Sequence, residues 1–302
     1  MTDKLYQNLT NSDEGGYLVP EELATEILGM VEAKSVCQPY LRPWPMTTMN
    51  EKINYLSTKP TAAWVATEAA AKTASGVKWG QMELDLEELA VIIPFSDRWA
   101  KFANLQVAQF LKGAIAEAIV QKLDRTYLGY ETDSPFTNEI SVDISAGNTI
   151  AYGAGADLVE DLSDAMGVVE AEGYVPNGWA CPIELKALLR NLRDDNNRPI
   201  FEPANAASPA TLFGLPIRFS TNMVDSQESP STKEIIVADW TYAYEGKNAD
   251  IIFDMTSQAT ITLSDGQTSV NLWEKNMSAI KAYIYRAFAI YKIAAFAKVT
   301  GF

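Results

Sequence analysis

From Lys78 to Ser96 the chain reads KWGQMELDLEELAVIIPFS, and its alternation limits the possible folds more than any other stretch. Leu84 and Leu86 stand between Glu83, Asp85 and Glu87, so one face of an extended strand is apolar and the other acidic. After Glu88 the phase changes, because Leu89, Val91, Ile93 and Phe95 fall on the other parity. Side chains alternate along a strand with a period of two, so this slip carries the apolar set to the opposite face and predicts a bulge or sharp bend. Upstream, Ile53, Tyr55 and Leu56, followed by Trp64 and Val65, form a weaker partner strand, and the small-residue run Ala69 to Gly76 supplies the turn. The product is a long hairpin arm. A two-stranded ribbon is marginal in water by itself, and neither Trp64 nor Trp79 has a shield within the arm. Its cover is either its own domain's core or something outside that domain.

The 302 residues suffice for a sizeable core and two subdomains. A hydrophobic content of 47% with 10% aromatics is that of a globular chain. Lys and Arg total 24 against 39 Asp and Glu, a formal net charge of -15, which opposes a DNA-binding enzyme or repressor. A container for DNA is a different case, since an acidic inner wall would hold packaged DNA away. There is no histidine, which excludes histidine-dependent triads, histidine-ligated metals and imidazole proton shuttles. Cys37 and Cys181 lack CxxC spacing and read as small buried hydrophobes. The opening MTDKLYQNLTNSDEGG lacks the pattern of a signal peptide, and no apolar run is long enough to span a membrane.

Residues 1–16 read as a flexible arm. A short amphipathic helix follows, with Pro20 at its first position, Glu21 and Glu22 at the positive dipole end, Leu23, Ile27, Met30 and Val31 on one face, and an end near Ser35. After the hairpin, Ser96 or Asp97 caps a helical region to about Tyr127, in which Ala108, Leu111, Ile115, Ala118, Ile119 and Leu123 recur at helical spacing. Asp157 opens a helix striped by Leu158, Leu162, Ala165, Met166 and Val169, and Gly173 closes it. Then come a strand at Trp179 to Cys181, a helix from Ile183 to Arg193, the turn DDNNRPIF, and LFGLPIRFS at 212–220. Asp194, Asp195 and Asn196 lack the glycine and distal glutamate of a calcium loop and read as a solvated turn. The last part is β: IIVAD at 235–239, DIIFD at 250–254, TITL at 260–263, and a long strand with Ile280, Ala282, Ile284, Arg286, Phe288 and Ile290 on one parity, then AAFAKV. These strands are expected on the sheet that carries the arm. No serine-hydrolase elbow, P-loop, dinucleotide fingerprint or metal cluster appears, so neither an enzyme nor a cofactor is expected.

The Ala-Trp-Val with a nearby Glu, the small-residue turn, ELDLEELAVIIPFS, the long helix ending at Leu128-Gly129, the phrase GGYLVPEEL and the later GLP before a strand together resemble the Hong Kong 97-like major capsid proteins of tailed bacteriophages. The resemblance implies an α+β fold with a peripheral domain, a long spine helix, an extended β-hairpin loop that reaches over a neighbouring subunit, and an inserted axial domain. On this chain the segments are an N-terminal arm (1–16), the N-terminal helix and start of the peripheral domain (17–57), the extended loop (58–96), the spine helix (97–130), the axial domain (131–255) and C-terminal peripheral strands (256–302). It implies a head protein that self-assembles through pentamers and hexamers around double-stranded DNA in the virion, built in the host cytoplasm, with a portal protein as a further partner, either with separate scaffolding and decoration proteins or with none needed, and no membrane. The implied contact residues between subunits are Trp64, Val65, Glu68, Lys72, Trp79, Met82 and Asn276. Some relatives join a lysine of the loop to an asparagine of a neighbour with a carboxylate assisting. Lys72 and Asn276 lie at the corresponding places, but Tyr283 stands where the acid is expected, so no cross-link is predicted. A nanocompartment shell on the same fold and an acidic soluble α+β enzyme are the alternatives.

Overall fold

The computed structural model describes residues 30–31, 34–64, 74–98, 106–155, 157–193, 196, 198–203, 209–225, 232–248, 251–263 and 269–302. The first arm, GGYLVPEEL and the Asp194-Asp195 pair lie outside the described residues. The strands in chain order are β1 (Arg42–Pro45), β2 (Asn50–Thr58), β3 (Lys78–Asp85) and β4 (Glu87–Ser96), then helix α1 (Gln106–Leu128). Next are β5 (Thr149–Ala151), helix α2 (Leu158–Ala171), β6 (Gly178–Pro182), β7 (Phe201–Glu202), β8 (Thr211–Leu212), β9 (Leu215–Ser220), β10 (Val224–Asp225) and β11 (Thr232–Ala238). The chain ends with β12 (Ala243–Lys247), β13 (Ile252–Thr256), β14 (Thr260–Thr262), β15 (Ser269–Asn271), β16 (Met277–Ile290) and β17 (Phe296–Thr300).

Strand β16 is the axis of a five-stranded sheet. β4 lies antiparallel along one edge of it, from Met277 opposite Ser96 to Arg286 opposite Glu87. β13 and β12 share its other edge, and β1 adds outside β12 in parallel. The parity slip read from the sequence is real, and its cause is a change of partner. β3 pairs with β2 as a separate ribbon, the ladder stops at Leu86, whose N–H donates to the Met49 carbonyl (2.8 Å), and β4 then joins β16. Before the switch Met82, Leu84 and Leu86 are buried with Met46, Ala287 and Ala289; after it Leu89, Val91 and Ile93 pack on the opposite side of the sheet, against the main core. One extra residue thus lets a single extended stretch serve two cores.

Helix α1 buries Ile115, Ala116, Ile119, Val120, Leu123, Tyr127 and Leu128 against Ile284, Phe288 and Ile290 of β16 within that core. Ala118, expected on this stripe, is exposed. Gly129, at φ 87°, ends the helix: the Tyr130 N–H reaches the Arg125 carbonyl (2.8 Å) and the Gly129 N–H reaches Thr126 (3.2 Å), the pair of bonds that closes a helix through a left-handed residue. The second sheet has eight strands, with β5, β17, β11, β6, β9, β8 and β7 in line and β10 beside β11. Alternate residues of β11 face different cores: Ile236 and Ala238 join the core shared with α1, whereas Ile235 and Val237 pack with Trp179, Cys181 and the α2 stripe. Both faces are covered, so β6 is buried along its whole length. The Asp157 carboxylate accepts from the Glu160 N–H and caps α2 as expected.

Three expectations are corrected. The chain's last strand, IIVAD and TITL do not return to the arm's sheet: β17 pairs with β11 and β5 in the eight-stranded sheet, and β14 pairs with β15 as a separate two-stranded sheet. The helix expected from Ile183 to Arg193 is a 3-10 turn (Ile183–Leu185) followed by a short helix (Lys186–Arg190), because the Arg193 guanidinium takes the Arg190 and Leu192 carbonyls and Arg193 bridges to Pro199. The strand expected at 250–254 runs from Ile252 to Thr256. Phe213 and Gly214 form the turn between β8 and β9, and both have positive φ, the conformation a two-residue hairpin requires.

Candidate assembly surface

The ribbon changes character along its length. At its base Met82 and Leu84, with half-buried Ile53 and Tyr55, pack on Met46, Ala287 and Ala289. The Trp44 indole (2.9 Å) and the Thr47 N–H (3.1 Å) both donate to the Glu51 carboxylate, which holds its pKa below the usual range and ties the ribbon to β1. The opposite face is wet, with Lys52 paired to Glu83 and Asn50 to Asp85. Trp79 stands on that wet face, on the parity of Gln81 and Glu83, and is 73% exposed, whereas Trp64, past the end of β2 at Thr58, is wholly exposed. Two bare indoles are a large apolar surface with no partner among the described residues.

Of the residues assigned to subunit contacts, Trp79 is exposed on β3 and Trp64 is exposed beyond the end of β2 instead of within the partner strand expected there, while Met82 is buried at the ribbon's base. Val65, Glu68 and Lys72 lie outside the described residues. Asn276 occupies a turn at φ 50°, its carbonyl accepting from the Asp97 N–H (3.1 Å). The Asp97 carboxylate accepts from Ser278 Oγ (2.6 Å), and most of the first turn of the helix it was expected to cap lies outside the described residues. Three residues from Asn276, Trp273 is 69% exposed, a candidate that sequence reasoning missed. The signal was present: a tryptophan within the polar run NLWEKN has no apolar alternation to bury it. Tyr283 sits under the Lys281 ammonium (4.4 Å to the ring) and edge-on to Tyr285.

Buried polar groups hold the scaffold. Asp124 on α1 accepts from Ser35 Oγ (2.5 Å) and the N–H groups of Val36 (3.1 Å) and Cys37 (3.4 Å), which fixes the segment before β1. Burial pushes its pKa above the ordinary value, against the opposing effect of these bonds. Glu245 on β12 accepts from Gln38 Nε2 (2.8 Å) and the Tyr127 hydroxyl (3.1 Å) and lies 3.4 Å from Arg286 Nε, so one carboxylate gathers the N-terminal segment, α1 and two strands. A cleft of about 530 Å³ contains Glu234, Lys298, Ser141 and Tyr130, and Lys298 there donates to Glu234 (2.7 Å) and Ser141 Oγ (3.0 Å). Cys37 and Cys181 are buried, which raises both thiol pKa values and leaves them inert. Among the described residues there is no group of acids and cysteines suited to a metal, and no helix is long and apolar enough to cross a membrane.

This arrangement, a body with two sheets and a protruding ribbon, has known counterparts. The chain is 26% identical over 281 residues to the major capsid protein of Staphylococcus phage 80alpha, covering 92% of this chain and 83% of that one. It is 24% identical over 297 residues to the probable major capsid protein gp17 of Mycobacterium phage L5, covering 95% and 90%. A solved chain from Microbacterium phage Oxtober96 superposes with a TM-score of 0.73 at 24% identity over 88% of this chain and 90% of that one. Another, from the capsid of an empty GTA particle, gives 0.64 at 15% identity over 98% and 99%. The pattern of the phage capsid family matches residues 15–301, nearly the whole length, and the chain belongs to that family.

Proposed function

We propose that the chain is the major capsid protein of a tailed phage, the repeating subunit of a closed shell in the virion, and that copies are joined by the outer half of the ribbon. The observation that carries this reading is the exposure of Trp79 on the ribbon and of Trp64 beyond its paired strands, while the ribbon's base is firmly packed. A projecting apolar surface that fits a different surface of the next copy makes a heterologous contact, and such contacts close into rings. Permanent interfaces bury about 2,000 Å² or more, and at roughly 25 cal/mol per Å² the apolar part outweighs association costs.

On this reading residues 58–96 are the extended loop, 97–130 the spine helix, 131–255 the axial domain, and 17–57 with 256–302 the rest of the peripheral domain. Trp64 and Trp79 are the anchors, with Val65, Glu68 and Lys72 beside them; Met82 supports the ribbon from inside, and Asn276 lies on the receiving side. The rings are pentamers and hexamers, the content is double-stranded DNA held without sequence-specific contact, and a portal protein takes one vertex. The protein's role is structural. No lysine–asparagine cross-link forms, because Tyr283 offers no carboxylate to take the lysine proton. Negative-stain microscopy of the purified protein tests the reading: shells are expected from the native chain, and Trp79→Ala is expected to reduce their yield. A native protein that remains a monomer or small oligomer under all assembly conditions contradicts it, and shells that copurify with a protein cargo instead of DNA indicate a nanocompartment.

A further inference from the structure

Near the middle of the ribbon a tyrosine is seated over a glycine. Tyr55 on β2 lies directly opposite Gly80 on β3, and its ring occupies the space a side chain at Gly80 would fill: a Cβ there would stand 2.5 Å from Tyr55 Cζ and 2.8 Å from its hydroxyl. Held in that notch, the Tyr55 ring meets Tyr291 edge-on, with centroids 4.4 Å apart and planes at 87°. The Lys292 ammonium lies over both rings, at 5.5 and 5.3 Å. Tyr291 stacks on Tyr242 (5.7 Å), its N–H bonds the Tyr242 carbonyl (2.8 Å), and Tyr242 meets Tyr174 edge-on (5.0 Å), beside the end of α2. Immediately beyond Tyr55 the β2–β3 ladder skips a residue between Leu56 and Thr58, and from there to Trp64 every residue is exposed. A register skip bends a ribbon and adds local twist.

We propose that Tyr55 and Gly80 are positioning residues for assembly: the ring, seated in the glycine notch and braced by Tyr291, sets the angle at which the outer ribbon leaves the subunit. This rests on the shell reading above. Gly80 acts only through Tyr55, since its lack of a side chain is what admits the ring. An alanine at 80 need not unfold anything, because the clashing atoms are the far end of a side chain that can swing away. The swing breaks the contact with Tyr291 and frees the base of the ribbon, so the indoles are presented over a range of directions.

The test uses the full-length chain with Gly80→Ala, Tyr55→Ala, Tyr55→Phe and the double variant Gly80→Ala/Tyr55→Ala. Two quantities are read: hydrogen exchange of residues 50–56 and 79–85 in the unassembled subunit, and particle shape by electron microscopy. Gly80→Ala and Tyr55→Ala are expected to speed exchange there roughly two- to tenfold, the equivalent of one aromatic pair, and to yield irregular particles. Tyr55→Phe should match the native protein. The double variant should be no worse than Tyr55→Ala alone, an epistasis that a simple gain or loss of strand propensity at 80 would not produce. Unchanged exchange in both single alanine variants, or additive effects in the double one, overturns the proposal. If Gly80→Ala does not fold, Tyr55→Ala against Tyr55→Phe decides the same point. Native chains that never form shells would contradict the shell reading alone, because the exchange comparison still judges the joint.

Discussion

Asp124 is a carboxylate with no exposed surface that three donors from Ser35, Val36 and Cys37 converge upon. Asp124→Asn keeps the shape but replaces an acceptor oxygen with a donor, and should lower stability by about 1–3 kcal/mol in urea unfolding at neutral pH. The pH dependence has a definite sign. The folded-state pKa lies above the unfolded value, so between the two the native state binds more protons, and this group's contribution to stability falls as pH rises through that window. The stability of the native chain relative to Asp124→Asn should therefore improve as pH is lowered from neutral toward the ordinary carboxylate value, and a difference that worsens would show the bonds outweighing burial. Trp79 presents the opposite case. It is mostly exposed in the subunit, so Trp79→Ala should change subunit unfolding by no more than about 0.5 kcal/mol while reducing shell yield. Both tryptophans were legible as unshielded in the sequence, because the arm around them is polar or small. Asp124 was not, since a single acid in a helix gives no sign of which distant segment will donate to it.

At the scale of elements, the strand that changes partner was largely legible. A period of two leaves no other reading of leucines that move from even to odd positions, and only the cause, a transfer from β2 to β16, needed coordinates. The destination of β17 was not legible. Alternation shows that a strand has two faces but not which sheet it joins, and β17 carries Phe296 to one core and Ala297 and Val299 to another. The end of α1 was legible in Gly129, although the bonds that close it were not. Gly129→Ala should destabilise the subunit by about 1–2 kcal/mol in denaturant unfolding, the strain of a left-handed backbone. A Cβ there would also stand 2.8 Å from Val142 Cγ2, but Val142 is exposed and can turn away, so the backbone term dominates.

For the molecule as a whole, a formal charge of -15 sets copies against one another, whereas apolar contact between ribbon and neighbour draws them together. Salt screens the first and leaves the second, since the Debye length falls from about 30 Å at 0.01 M to about 8 Å at 0.15 M. Shell yield should rise over that range by light scattering; a fall would mean that ion pairs dominate the contacts. Denaturing electrophoresis of mature particles should show single chains, and a ladder of covalent oligomers would refute the expectation drawn from Tyr283. The most direct test of the account is a cryo-electron microscopy reconstruction of the assembled protein at side-chain resolution. It should show Trp64 and Trp79 of each copy buried against an adjacent copy within a closed shell, and the account is contradicted if both indoles fold back onto their own subunit or remain in solvent.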